Sequence, residues 1–155
     1  MTRMKAWGVA IVGTLALAGG VAGAGTGSFG NVDQARLLKA ASDVDNWLLY
    51  GRTWDEQRFS PLTDINDGNV GKLGLAWAVQ LDTNRGQEAT PIVVDGVMYI
   101  STAWSKVMAL DAVTGKVLWQ HDPKVIGAKG AHACCDVVNR GVAVWKGKVF
   151  FGTID

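Results

Sequence analysis

The sequence predicts an all-β chain that forms part of a β-propeller, its first two to three blades, behind a short N-terminal helix. Three observations carry this. Beyond Trp47 the 155-residue chain becomes a series of short apolar stretches cut by Gly, Asp and Asn, the pattern of strands joined by tight turns. Two of those turns, Val94-Asp95-Gly96-Val97 and Trp145-Lys146-Gly147-Lys148, have the composition of hairpin connections. The strands also repeat. Trp77 and Trp119, each behind a Gly-Lys pair, lie 42 positions apart, and "VVDGVMYIST" aligns with "VWKGKVFFGT" at a spacing of 51. Repeats of about 40–50 residues with several strands per unit suggest blades.

Taken in order, residues 1–24 come first. Arg3 and Lys5 precede an apolar run from Ala6 to Ala18, followed by Ala22-Gly23-Ala24, the grammar of a secretory signal peptide cleaved after Ala24. A membrane anchor is the alternative, but an apolar run interrupted at Gly8 and Gly13 falls short of the roughly 20 residues needed to span. Export places the mature chain in an oxidising compartment, expected to be a bacterial periplasm. Loss of Arg3 and Lys5 takes the net charge from +1 to −1, and no basic patch or charge run points to nucleic acid or an acidic membrane surface.

Residues 25–45 form a lead-in, in which "DQARLLKAA" (Asp33 to Ala41) combines helix formers with an acidic start. Residues 46–155 carry the strands, expected at "GLAWAVQL" (Gly74 to Leu81), "TPIVVDGVMYIST" (Thr90 to Thr102), "KVMALDA" (Lys106 to Ala112), "KVLWQHD" (Lys116 to Asp122) and "GVAVWKGKVFFGT" (Gly141 to Thr153). Ala109 to Trp119 reads A-x-D-x-x-T-G-x-x-x-W. Asp111 and Thr114 suit a turn backbone, Gly115 supplies an unusual dihedral, and Trp119 is expected to pack across to a neighbouring blade. Trp54, Phe59, Trp104 and Trp145 are expected in blade packing, and His121 and His132 belong to no motif.

The two cysteines of the chain, Cys134 and Cys135, are adjacent in "AHACCDVVNRG". Exported thiols tend to oxidise, yet bridging neighbours closes almost no loop and forces a small strained ring, because Cα atoms across a trans peptide sit about 3.8 Å apart against the usual disulfide span of about 4.4–6.8 Å. Such a ring would be a hard, flat sulfur surface. Two unpaired thiols, or a metal site with His132, are the alternatives; adjacent cysteines converge poorly on one ion, and the C-x-x-C spacing of a redox pair is absent.

Asn46-Trp47, "YGRTWDEQRFSPL" (Tyr50 to Leu62), "GQEATP" (Gly86 to Pro91), the Ala109–Trp119 string and "CCDVVNRG" together resemble the quinoprotein alcohol dehydrogenases over Asn46 to Asp155. The resemblance implies an eight-bladed periplasmic propeller that uses pyrroloquinoline quinone (PQQ) and calcium to oxidise primary alcohols to aldehydes, hydride passing to a quinone carbonyl polarised by the metal. It implies that Cys134 and Cys135 are joined as a disulfide forming one face of a sandwich around the planar cofactor, where polarizable sulfur meets a π system. Arg140 matches a residue that grips a cofactor carboxylate, and Glu88 one that hydrogen-bonds the cofactor's rim. Taken alone, each also reads as a surface residue, Arg140 paired with Asp136. The catalytic Asp, the calcium ligands and the other face of the sandwich would lie beyond Asp155, so the chain would be the N-terminal quarter or so of the enzyme and inactive by itself. A periplasmic cytochrome or other acceptor would take the electrons, and a haem c domain is undetermined. The alternative is a non-enzymatic propeller scaffold of the outer-membrane assembly type, which requires none of Glu88, Cys134, Cys135 or Arg140.

Overall fold

In the computed structural model, which describes residues 30–155, the β segments pair with their sequence neighbours. Strands β1 (Ile92–Val94), β2 (Val97–Ser101), β3 (Val107–Asp111) and β4 (Val117–His121) form one antiparallel sheet in the order β1-β2-β3-β4. Strands β5 (Ala143–Trp145) and β6 (Lys148–Phe150) make a separate hairpin. A four-stranded meander followed by the start of another is the unit expected of a propeller blade and its successor.

The register follows from the two turns read in the sequence. Asp95 and Gly96 have φ of 52° and 78°, and Lys146 and Gly147 have 47° and 73°. Positive φ at both central positions gives the turn twist that matches paired strands, and it sets Val94 opposite Val97 and Trp145 opposite Lys148. Helix α1 (Gln34–Leu38) is shorter than Asp33–Ala41; Asp33 caps it by accepting from the Arg36 N–H at 2.8 Å, and turns continue to Ser42.

The core lies between the lead-in, one face of the sheet and β5. Val32, Leu37, Ala40 and Leu48 pack with Ile92, Val94, Val97, Tyr99, Ala109 and Val144. The lead-in also holds β5 and β6 directly, since the N–H groups of Lys146 and Gly147 donate to the carbonyls of Val32 and Gly30 at 2.8 and 2.9 Å. Arg36 ties the helix to the β1–β2 turn: its two terminal nitrogens donate to Asp95 at 3.0 and 2.7 Å while Nε donates to Asp43 at 3.0 Å.

Three expectations change. Gly74–Leu81 is not a strand. From Trp77 to Thr83 half-buried and exposed residues still alternate as they would along a strand, but among the described residues no strand lies beside the segment to complete a ladder. Second, the indole that meets the Ala109–Trp119 string is Trp77. Asp111 Oδ1 accepts from the N–H groups of Val113 and Thr114 and from the Thr114 hydroxyl at 3.1, 2.8 and 2.8 Å, as read. Trp77 lies flat over Gly115, whose absent Cβ would fall 2.4 Å from Trp77 Cε3, and donates its indole N–H to Ala112 at 3.3 Å. Trp77 thus serves the turn of the following repeat; Trp119, one repeat later, is 41% exposed and meets Tyr99 at a tilted 6.1 Å. Third, Trp54 and Phe59 are exposed rather than packed.

Gly115→Ala is therefore expected to be severe in the full-length protein. Its φ of 71° strains any residue with a Cβ, and the added methyl overlaps Trp77. A loss of about 2–5 kcal/mol, read by thermal or denaturant unfolding, follows from left-handed strain plus overpacking; an unchanged midpoint would contradict the packing of Trp77 on this turn.

Candidate cofactor-binding site

Two irregular segments, 85–90 and 136–141, lie side by side and bring together the residues singled out in the sequence. Their contacts follow one another in register. Arg85 meets Asp136, with Nε donating to Oδ2 at 2.8 Å and a terminal nitrogen to Oδ1. Gly86 comes next: a Cβ there would sit 3.2 Å from the Val138 side chain. Arg140 Nε then donates to Glu88 Oε2 at 3.1 Å. The row ends with a parallel backbone bridge between Thr90 and Gly141, beside which the Thr90 N–H meets the Arg140 carbonyl at 3.4 Å. The charges cross: cation to anion at the first rung, anion to cation at the second.

Both segments are anchored from behind. Gln87 Nε2 donates to the Ser101 carbonyl at the end of β2, at 2.7 Å. On the other side the Trp104 N–H donates to the Val137 carbonyl at 2.9 Å, the Val137 side chain is buried, and the Trp104 indole closes on Gly130, where a Cβ would be 3.1 Å away. Asn139 donates to the Gly152 carbonyl at 2.9 Å and accepts from the Gly141 N–H at 3.1 Å, fastening the segment to the chain beyond β6.

Between these anchors Cys135 and Asp136 adopt φ of 68° and 71°, and Trp104 and Ser105 opposite them 62° and 56°. Consecutive left-handed residues other than glycine are strained, a condition that survives where the surroundings over-determine it. Cys134 and Cys135 are both exposed on this turn, each carrying a free thiol. A hydrogen bond with the Cys135 thiol holds the Cys134 thiol above its ordinary range, against the opposing pull of the Arg140 charge. Asp136 is held below the usual carboxylate range, first by its bond from Arg85.

Arg140 is therefore not paired with Asp136, the alternative its sequence position allowed. Glu88 engages only Nε, and the side chain is 70% exposed, so most of the fork is open to an incoming anion. An exposed ion pair of this kind contributes only about 0–1 kcal/mol, little enough for a bidentate carboxylate to compete. A shallow cleft of about 560 Å³ opens on Arg140, lined also by Tyr50, Ile92, Asn139 and Phe151. The exposed sulfur pair, an open guanidinium and an adjacent carboxylate suit a flat, anionic, aromatic ligand. Among the described residues no cluster of three or more His, Cys, Asp or Glu side chains is suited to a metal.

Arg85 was missed by sequence reading, although a signal existed. Arg85-x-x-Glu88 and Asp136-x-x-x-Arg140 carry opposite charges in matching order, as two segments running in parallel would need.

Residues 47–153 match the PQQ family, the β-propeller domain of glucose, ethanol and alcohol dehydrogenases. The chain belongs to this family. It is 60% identical over 126 residues to the dehydrogenase subunit of the quinone alcohol dehydrogenase of Acetobacter aceti, covering 81% of this chain and 17% of that protein. The solved quinohemoprotein alcohol dehydrogenase of Pseudomonas putida superposes with a TM-score of 0.78 at 57% identity, over 81% of this chain and 18% of that one. A europium-containing methanol dehydrogenase superposes with a TM-score of 0.70 at 37% identity, over 77% of this chain and 21% of that one. The chain thus spans about one-sixth of the length of the relatives it matches.

Replacing Arg140 with Lys is expected to raise the dissociation constant for PQQ about tenfold in the full-length protein freed of ligand, because a point-like ammonium keeps the charge but loses the planar fork. Fluorescence titration reads this directly, and an unchanged constant would return Arg140 to a surface role.

Proposed function

We propose that the full-length protein is a periplasmic PQQ- and calcium-dependent alcohol dehydrogenase that oxidises primary alcohols to aldehydes and passes electrons to a periplasmic cytochrome or another acceptor. The observation that carries the reading is the contact of the two segments, which sets Glu88 against an open Arg140 on the stretch of chain that follows the adjacent thiols, in a chain of the PQQ family. Residues of this chain would hold the cofactor by charge and by stacking: Arg140 on a carboxylate, Glu88 on the rim, Cys134 and Cys135 under the ring. Bound PQQ supplies the two-electron acceptor for the hydride released from the alcohol carbon. Calcium ligation is assigned to none of the described residues, and no step is derived through the metal.

Three features support the finer parts of the proposal. The signal-like start of the sequence supports export. Relatives named as quinohemoprotein alcohol dehydrogenases and as a cytochrome c-linked 1-butanol dehydrogenase support an alcohol substrate and a redox partner. An oxidising compartment, finally, favours joining Cys134 to Cys135.

Dye reduction by the apoenzyme is expected only when PQQ, calcium and a primary alcohol are all present. Activity without PQQ, or PQQ uptake without alcohol oxidation, would contradict the reaction, and elemental analysis showing a lanthanide in place of calcium would contradict the metal. The bridge has its own measurement. Mass spectrometry of the exported enzyme should give one peptide spanning Cys134 and Cys135 that is lighter by two hydrogens before reduction; two freely alkylated thiols in the unreduced protein would rule it out.

A further inference from the structure

We propose that Arg85 is a positioning residue for the cofactor: by taking up both oxygens of Asp136, it keeps that carboxylate from competing with the quinone for Arg140. This rests on the PQQ reading above. Asp136 directly follows Cys135 and lies four residues before Arg140, so its charge sits within the site and on the same short segment as the cation that the ligand needs. Both of its oxygens accept from Arg85, through Nε at 2.8 Å and through a terminal nitrogen. Arg140 is left to Glu88, which holds it by one edge.

Without Arg85 the Asp136 carboxylate would be an unpaired anion between the sulfur pair and Arg140. It would have two ways to weaken ligand binding: capturing the Arg140 fork, and repelling the ligand's own carboxylates. Like charges brought together at a binding surface are strongly unfavourable. The Arg85–Asp136 pair is itself about half exposed, with side-chain accessibilities of 46% and 35%. Its consequence is therefore for charge placement rather than for the stability of the fold. The left-handed backbone of Asp136, anchored by the neighbouring Val137 carbonyl on the Trp104 N–H, keeps the carboxylate turned toward segment 85–90.

The test is a double-mutant cycle on the full-length apoenzyme, titrated with PQQ and read by quenching of tryptophan fluorescence, with a thermal melt of each variant. Arg85→Gln is expected to weaken PQQ binding about tenfold, by leaving Asp136 unpaired. Adding Asp136→Asn to that chain is expected to restore affinity to within about twofold, because the uncompensated anion is gone. Arg85→Lys, which keeps the neutralising charge, is expected to stay within about threefold of the parent, and all variants to melt with the parent. Unchanged affinity in Arg85→Gln, no recovery in the double variant, or a loss in Arg85→Lys as large as in Arg85→Gln would each overturn the assignment. If Arg85→Gln fails to fold, the double variant and Arg85→Lys decide by the same criteria. A parent apoenzyme that takes up no PQQ would overturn the functional reading and this inference with it, whereas a parent that binds while the cycle shows no coupling overturns the inference alone.

Discussion

The arrangement of the site depends on the lateral contact between segments 85–90 and 136–141. Neither segment is a strand, and a single backbone bridge at Thr90 and Gly141 is their only ladder-like pairing among the described residues. Register along the contact is instead set by side chains: an ion pair, a glycine that lets Val138 approach, and a second ion pair of reversed polarity. A slip of one residue would set Arg85 opposite Cys135 or Val137 and Glu88 opposite Asn139 or Gly141, losing both ion pairs, so the pairing favours one alignment. That alignment decides where Glu88, Arg140 and the thiols stand relative to each other.

Exposed ion pairs add little to folding free energy, and here they need add little. The segments are already anchored by the buried Val137, by the Trp104 indole against Gly130 and by the Gln87 side chain on the Ser101 carbonyl. Packing places the two segments close together, and electrostatics then settles their alignment. The same division explains how Cys135, Asp136, Trp104 and Ser105 can all sit at positive φ. Such residues cost on the order of 1–3 kcal/mol each, which neighbouring packing and hydrogen bonds must offset. The rigid turn that results presents two adjacent sulfur atoms to solvent.

A second constraint governs the sheet. The Asp111–Gly115 turn closes β3 onto β4 and offers a flat glycine surface to Trp77. Trp77 comes from the preceding repeat, so this turn is completed by a residue 38 positions earlier than Gly115 in the chain. Strand β4 is exposed along its whole length and Trp119 is only partly covered.

The sequence by itself determined the strands from Thr90 onward, both hairpin turns and the polar network of the Asp111 turn, while Glu88, Cys134, Cys135 and Arg140 were grouped through their resemblance to a family pattern. The strands and turns are local features: period-two patterning and the positive φ that Asp-Gly and Lys-Gly pairs tolerate. Only the tertiary structure decided the rest. Extended chain at Gly74–Leu81 becomes a strand only beside a neighbour, which no local pattern can reveal. Trp77 rather than Trp119 reaches Gly115 because docking joins residues far apart in the chain. Arg85 joined the site, and Arg140 chose Glu88 over Asp136, because a side-chain partner is set by which segments lie adjacent. That adjacency arises from packing between distant residues, and so it is invisible in any short stretch of the chain.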